Sequence, residues 1–193
     1  MKPRIAIPVP HSTKKDYVER SLPPYVHAIE DAGGEAFPIP LEKTQDEIAE
    51  MLKQCHGILL PGSPADVDPE KYGEPRHAKT NPADPLRDAA DELLLQDAHN
   101  MHKPILAICY GLQALNVWRT GTLCQDIEAE LHSPVKHSTK SKVKPTHRVN
   151  VDPASRLAKI LADAPGTSLS PSPDFTAMQM MVNSSHHQSA DVV

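Results

Sequence analysis

Lys103-Pro104-Ile105-Leu106-Ala107-Ile108-Cys109-Tyr110-Gly111-Leu112-Gln113-Ala114-Leu115-Asn116 changes character half way along. Its first part is a short apolar run suited to a buried strand. From Cys109 onward, Leu112, Leu115 and Asn116 recur at spacings of three and four, the helical pattern. A thiol therefore sits where a strand becomes a helix. Gly111 permits close packing and unusual backbone angles just beyond it, and the amides of the helix's first turn have no partners inside the helix. Those amides and the helix dipole favour a thiolate, and they can hold negative charge that develops on an attacked carbonyl oxygen. This is the logic of a nucleophile elbow, with cysteine as nucleophile and Ala107 at the leading small position. A cysteine that merely ends a core strand as a small hydrophobe fits the same short pattern.

The rest of the chain sets the frame. Its 193 residues suit one domain, or one domain with an appendage, and suffice for a full core. A net charge of -5 gives no electrostatic reason to expect nucleic acid as a partner. Three cysteines, Cys55, Cys109 and Cys124, cannot all pair, so a reducing cytoplasm is the simpler setting. No N-terminal signal pattern and no apolar stretch of membrane length appears, which argues against export and against a membrane as partner. Prolines fall at the ends of apolar runs, at Pro8, Pro38, Pro61 and Pro104, as punctuation between elements.

In order, Arg4–Val9 reads as a first strand, and Val18, Leu22, Tyr25, Val26 and Ile29 mark a helix within Tyr17–Ala32 that Gly33-Gly34 stops. Pro23 and Pro24 blur where that helix begins. Glu35–Ile39 is a second strand, Thr44 with Glu47 at capping-box spacing opens a helix through Leu52, and Gly57–Leu60 is a third strand. This β-α-β-α-β order implies a parallel sheet with helices on both faces, where ligands gather beyond the carboxyl ends of the strands. Pro61-Gly62-Ser63-Pro64 follows one such end, and Gly62 and Ser63 are candidate oxyanion donors, although an ordinary turn explains the cluster equally well. Arg87–Met101 is the next helix, with Ala90, Leu94 and Ala98 on one face; Arg87 and Asp88, near its start, could orient the loop, but a solvated first turn is the preferred reading.

The Pro-Gly-Ser-Pro-Ala-Asp-Val-Asp-Pro loop, Tyr72-Gly73-Glu74, Arg87-Asp88 with Glu92, the Ala-Ile-Cys-Tyr-Gly-Leu-Gln elbow, Gly121–Ile127, His147-Arg148-Val149 and Val182–Gln188 together resemble the class I glutamine amidotransferase family. More narrowly, they resemble its stand-alone γ-glutamyl-γ-aminobutyrate hydrolase branch, the peptidase C26 group. The resemblance implies an α/β fold of three layers, with a doubly wound, mostly parallel, flavodoxin-like sheet in a single domain over residues 1–193, short of the family's C-terminal portion. It implies hydrolysis of γ-glutamyl amides with neither metal nor organic cofactor, a small γ-glutamyl molecule as the binding partner, and self-association left open. Cys109 would attack the γ-carbonyl and pass through a thioester, with the amides of Tyr110 and of the Gly62-Ser63 turn holding the oxyanion. Gln113, His186, His187 and Gln188 would contact substrate. A glutaminase subunit feeding ammonia to a partner synthase, and a non-catalytic γ-glutamyl-binding relic, are the alternatives.

Two departures are small: Gly-Ser-Pro stands where many members have Gly-Gly, and Tyr110 where arginine is frequent. A third is larger, because the family's His-Pro-Glu motif, which supplies the base and its orienting carboxylate, occurs nowhere in the sequence. A chain shortened relative to the family, replacement of the base by His186 or His187, and loss of catalysis each account for that. The first is preferred, since the missing piece would also remove the last strands of the sheet. Among other features, His132, His137 and His147 lack metal-ligand spacing, and Lys136–Lys144 reads as a solvated basic loop. Ser155–Leu161 reads as a short helix with Leu157, Ile160 and Leu161 inward, Gly166–Asp174 as a mobile surface loop, and Cys124 as structural.

Overall fold

Four apolar segments, β1 (Arg4–Pro8), β2 (Glu35–Ile39), β3 (Gly57–Leu60) and β4 (Ile105–Ala107), form one sheet in the order β2-β1-β3-β4 in this computed structural model. Every pairing in it is parallel. Parallel neighbours need crossovers, and α1 (Lys15–Asp31), α2 (Gln45–Leu52) and α3 (Pro85–Met101) supply them, with α4 (Tyr110–Trp118) following β4. The structure describes all residues except 133, 139–145, 165–166 and 174–175. The chain divides into two compact units, Met1–Asp126 with Gln188–Val193, and Ile127–His187. No helix among the described residues is long and apolar enough to cross a membrane.

In the first unit, strand alternation decides which face each side chain joins. Ala6, Ile58 and Leu60 meet Ile48 and Leu52 of α2 and Ala90, Leu94, Leu95 and Ala98 of α3. Ile5, Ile7 and Leu59 point the other way, toward Leu22, Tyr25 and Ile29 of α1. Each such aliphatic side chain contributes roughly 1.5–3 kcal/mol on burial, so helices on both faces are required to cover so apolar a sheet. The result is the three-layer α/β arrangement. Its fourth strand, β4, is an edge with Leu106 58% exposed.

Local signals place the helices. Thr44 accepts from the Glu47 amide at 3.3 Å while Glu47 accepts from the Thr44 amide at 2.9 Å, the expected reciprocal cap of α2. Pro23 and Pro24 lie inside α1 without ending it, because both face solvent, where carbonyls freed by a proline can be hydrated. The helix read from Arg87 begins two residues earlier, with Asp84 as its cap. Beyond α4, β5 (Leu123–Cys124) pairs antiparallel with β9 (Ser189–Ala190). Asn116 Nδ2 ties the end of α4 to this pair, donating to the carbonyls of Thr122 and Val192 at 2.9 Å each.

The second unit carries α5 (Ile127–Glu130), β6 (Thr146–Val151), α6 (Arg156–Asp163), β7 (Ser170–Pro171) and β8 (Met178–Asn183), its strands forming an antiparallel sheet in the order β6-β8-β7. Ser155 caps α6 by accepting from the Ala158 amide. The inward stripe expected on that helix is corrected: Ala158 is buried, whereas Leu157 and Ile160 are 53% and 57% exposed and Leu161 is half-buried. Spacing defines which residues share a helix face, but only packing chooses the face that turns inward. Residues 139–144 of the basic run, and Gly166 and Asp174 of the expected loop, lie outside the described residues. Within that loop, Ser170–Pro171 forms β7.

A Cβ added at Gly111 would stand 2.6 Å from Leu60 Cβ and closer still to the Leu60 carbonyl oxygen, so α4 approaches β3 at a distance only glycine allows. Gly111→Ala should lower stability by about 3 kcal/mol, read as a fall in the urea midpoint. His11 gives a pH-dependent expectation. Its Nδ1 accepts from the amides of Thr13 and Lys14 at 3.1 and 3.3 Å, which requires the neutral ring, and burial lowers its pKa despite Asp84 beside it. The unfolded chain then binds the proton more readily. Stability is therefore intact above the ordinary histidine value and declines as pH falls through ~6.5 toward the folded value. Melting temperatures at pH 7.5 and 5.5 should differ more in the wild type than in His11→Asn.

Candidate active site

Cys109 is the second of the two residues between β4, which ends at Ala107, and α4, and it serves as the cap of that helix. Its backbone stands at φ 52°, ψ -113°, a conformation that L residues rarely adopt and that costs about 1–3 kcal/mol unless its surroundings enforce it. The enforcement is visible on both sides. The Ile108 amide donates to the Leu60 carbonyl at 2.9 Å, the Gly111 amide to the Ile108 carbonyl at 3.0 Å, and the Gln113 amide to the Cys109 carbonyl at 3.1 Å. The thiol is exposed, and Cys55 and Cys124 are buried.

The turn after β3 lies beside it. A Cβ added at Gly62 would sit 3.6 Å from Cys109 Cβ, 3.3 Å from the Tyr25 hydroxyl and 4.0 Å from the Tyr17 hydroxyl. Gly62, Ser63, Cys109 and Tyr110 are thus brought together by the ends of β3 and β4. Their amides are not equivalent. The Gly62 amide donates to the Tyr25 hydroxyl at 3.2 Å, the Tyr110 amide to the Cys109 sulfur, and the Ser63 amide to no described residue, while Ser63 Oγ accepts from Ala65.

Electrostatics at the sulfur run against the expectation of a favoured thiolate. Desolvation by the surrounding walls pushes the Cys109 thiol up, the Tyr110 amide opposes that, and the nearby Asp66 carboxylate pushes it further up. One helix terminus does not outweigh removal from water. Cys55, buried without a comparable donor, is pushed up to about 11.

Arg87 corrects a further expectation. It is fully buried instead of lying in a solvated first turn. Its Nε donates to Asp91 Oδ1 at 2.8 Å, and its two terminal nitrogens donate to the carbonyls of Pro10 and Pro61 at 3.0 and 2.8 Å. The guanidinium also lies over the Tyr110 ring at 5.0 Å, and the Tyr110 hydroxyl donates to Asp88. Burial, with the Asp88 and Asp91 charges, raises the phenol's pKa, so it remains a donor. Burial of such a cation requires that its donors be used. Sequence spacing assigns Arg87 to the first turn of α3 and allows it to orient a loop, but does not name the Pro10 and Pro61 carbonyls that it reaches.

Gln113 and Gln188 are both buried. Gln113 Nε2 donates to the Gln188 carbonyl at 3.2 Å and Gln188 Nε2 to the Gln125 carbonyl at 3.2 Å, so both amides hold β9 to α4 and the end of β5. His186 and His187 fall in the second unit. There the rings of His137 and His186 lie 4.9 Å apart, those of His137 and His147 4.7 Å apart, and Ser184 Oγ is 2.7 Å from His147 Nε2. The His187 carbonyl accepts from the Ile127 amide. Among the described residues, no group of three or more His, Cys, Asp or Glu is arranged to hold a metal ion. Sequence reasoning missed Tyr17 and Tyr25 as residues facing the site. Their signal was present as two phenols eight residues apart on α1, but the periodicity that marked Tyr25 reads equally as core.

A parallel sheet flanked by helices, with a cysteine held at a strained strand-to-helix turn, defines a class I glutamine amidotransferase-like α/β protein. The chain matches the Peptidase C26 family over residues 6–193 and belongs to it. It is 34% identical over 177 residues to the glutamine amidotransferase-like protein YvdE of Lactococcus lactis, covering 91% of this chain and 66% of that protein. With the γ-glutamyl-γ-aminobutyrate hydrolase PuuD of Escherichia coli it shares 32% identity over 175 residues, 88% of this chain and 63% of the relative. With protein NtpR of Enterococcus hirae it shares 30% over 166 residues, 85% and 62%. The chain therefore spans slightly less than two thirds of the length of each of these three relatives.

The raised thiol sets a measurable profile. Alkylation of Cys109 by iodoacetamide should still be accelerating above pH ~8.5, the ordinary cysteine midpoint, and Asp66→Asn should move the profile to lower pH. Removing Arg87 as Arg87→Met leaves Asp91 as an unpaired buried carboxylate and should cost about 3–5 kcal/mol, measured by chemical denaturation.

Proposed function

We propose that this protein hydrolyses γ-glutamyl amides through Cys109. The observation that carries the reading is the positive-φ turn at Cys109 beside the Gly62-Ser63 turn. The Peptidase C26 membership and the likeness to a γ-glutamyl-γ-aminobutyrate hydrolase support it. In this reading a base takes the thiol proton and the sulfur bonds to the γ-carbonyl carbon. The carbonyl oxygen becomes an oxyanion within reach of the Tyr110 and Ser63 amides. Ser63 serves better than Gly62, whose amide is held by Tyr25. Collapse expels the amine, which leaves with a proton, and water then cleaves the thioester to release the γ-carboxylate. Gln113 and Gln188 shape the substrate region by fixing its backbone.

The thiol's upward shift assigns the base a large share of the rate, because little thiolate exists near neutral pH without one. The same shift favours a second reading, a γ-glutamyl-binding protein without turnover. Incubation with the glutamine-analogue electrophile 6-diazo-5-oxo-L-norleucine separates the two. Peptide mass spectrometry should find Cys109 labelled in preference to Cys55 and Cys124, and release of amine from a panel of γ-glutamyl amides should fall about 1000-fold or more in Cys109→Ala. Inert Cys109 with saturable, unlabelled γ-glutamyl binding would overturn the hydrolase reading in favour of the second.

A further inference from the structure

Within the first unit, α3 and α4 border a cavity of about 210 Å³. Leu95, Val117 and Trp118 give it an apolar wall, and Lys71, Asp88 and Glu92 give it a charged one. Asp91 also lines it, although only 2% of that residue is exposed. Its Oδ1 accepts from Arg87, and its Oδ2 is buried and accepts a hydrogen bond from no described residue. Lys71 directs its ammonium to Asp88 at 3.2 Å and Glu92 at 2.8 Å and makes no hydrogen bond to Asp91 Oδ2. Three carboxylates thus face two cations, Lys71 and Arg87, and the unmatched acceptor is the buried oxygen. Burial pushes the Asp91 carboxyl's pKa up, the response of a carboxylate short of positive partners.

We infer that this cavity binds a small organic monocation, a primary ammonium on an apolar stem, whose charged end donates to Asp91 Oδ2 while the stem lies against Leu95, Val117 and Trp118. The cavity volume equals that of about seven liquid waters at ~30 Å³ each, room for a ligand of about five to eight non-hydrogen atoms. The indole of Trp118 adds an aromatic surface that attracts cations. Neither a neutral alcohol nor an inorganic ion meets both demands, because one lacks the charge and the other the stem. This site is independent of the Cys109 reaction and would exist whether or not that reaction occurs.

Trp118 is the sole tryptophan and lines this cavity, so all indole emission comes from its wall. The purified chain is titrated with n-butylammonium chloride, against n-butanol and potassium chloride at matched concentration. The expected result is a saturable change in emission with butylammonium and only a linear, weak response to the other two. Asp91→Asn should weaken the apparent affinity at least 10-fold. Because that substitution also strips Arg87 of its partner, Ala114→Leu, which fills the cavity from α4, provides a second test, with the fold of each variant checked by circular dichroism. No saturation, an equal response to butanol, or undiminished binding in a folded Asp91→Asn or Ala114→Leu protein would overturn the inference.

Discussion

One buried guanidinium holds the candidate site in shape. Arg87 reaches the loop after β1 through the Pro10 carbonyl, the turn after β3 through the Pro61 carbonyl, and its own helix through Asp91, while its plane covers the Tyr110 ring. Those contacts bind three separate stretches of chain to the residue that follows Cys109. A planar fork with several fixed donors can do this, and a lysine's single ammonium cannot. Because the cation is out of water, each lost acceptor would leave a desolvated donor, which makes the assembly close to all-or-none. The Gly62-Ser63 turn keeps its place beside Cys109 on that account.

The strain at Cys109 belongs to the same construction. A positive φ at a non-glycine residue persists only where neighbouring packing leaves no alternative, and here Gly111 lets α4 press its first turn onto Leu60. The sheet edge and the helix therefore meet at the sulfur, with Tyr17 and Tyr25 of α1 closing over the adjacent glycine. Those walls also desolvate the thiol. The geometry that presents the sulfur thus makes it harder to ionise, and the proposed hydrolysis would draw on a base to recover the thiolate.

The second unit has a polar centre of its own. His137, His147 and His186 stack edge to face or tilted around Ser184. Burial and the two neighbouring rings lower the pKa of His137. Ser184 is itself buried, so this hydroxyl acts as a link between rings and not as a surface group. The segment that the sequence marks as functional, Asn183–Gln188, is accordingly divided: His186 joins this cluster, and Gln188 joins the interior of the first unit.

The sequence by itself determined the α/β class, the strand order along the chain, the Thr44 cap and the elbow at Cys109, because each rests on local periodicity or on neighbours within a few residues. It also placed Gly62 and Ser63 at the carboxyl end of a parallel strand, where ligands gather, and the family resemblance alone joined that turn to Cys109. Only the tertiary structure decided that Arg87 is buried, that the Gly62 amide is taken by Tyr25, that Gln113 and Gln188 serve the interior, and that α6 turns Ala158 inward in place of Leu157 and Ile160. The reason is common to all four. Each depends on a contact between residues distant in sequence, or on which side of an element meets the core, and neither is written in the spacing of residues along one segment.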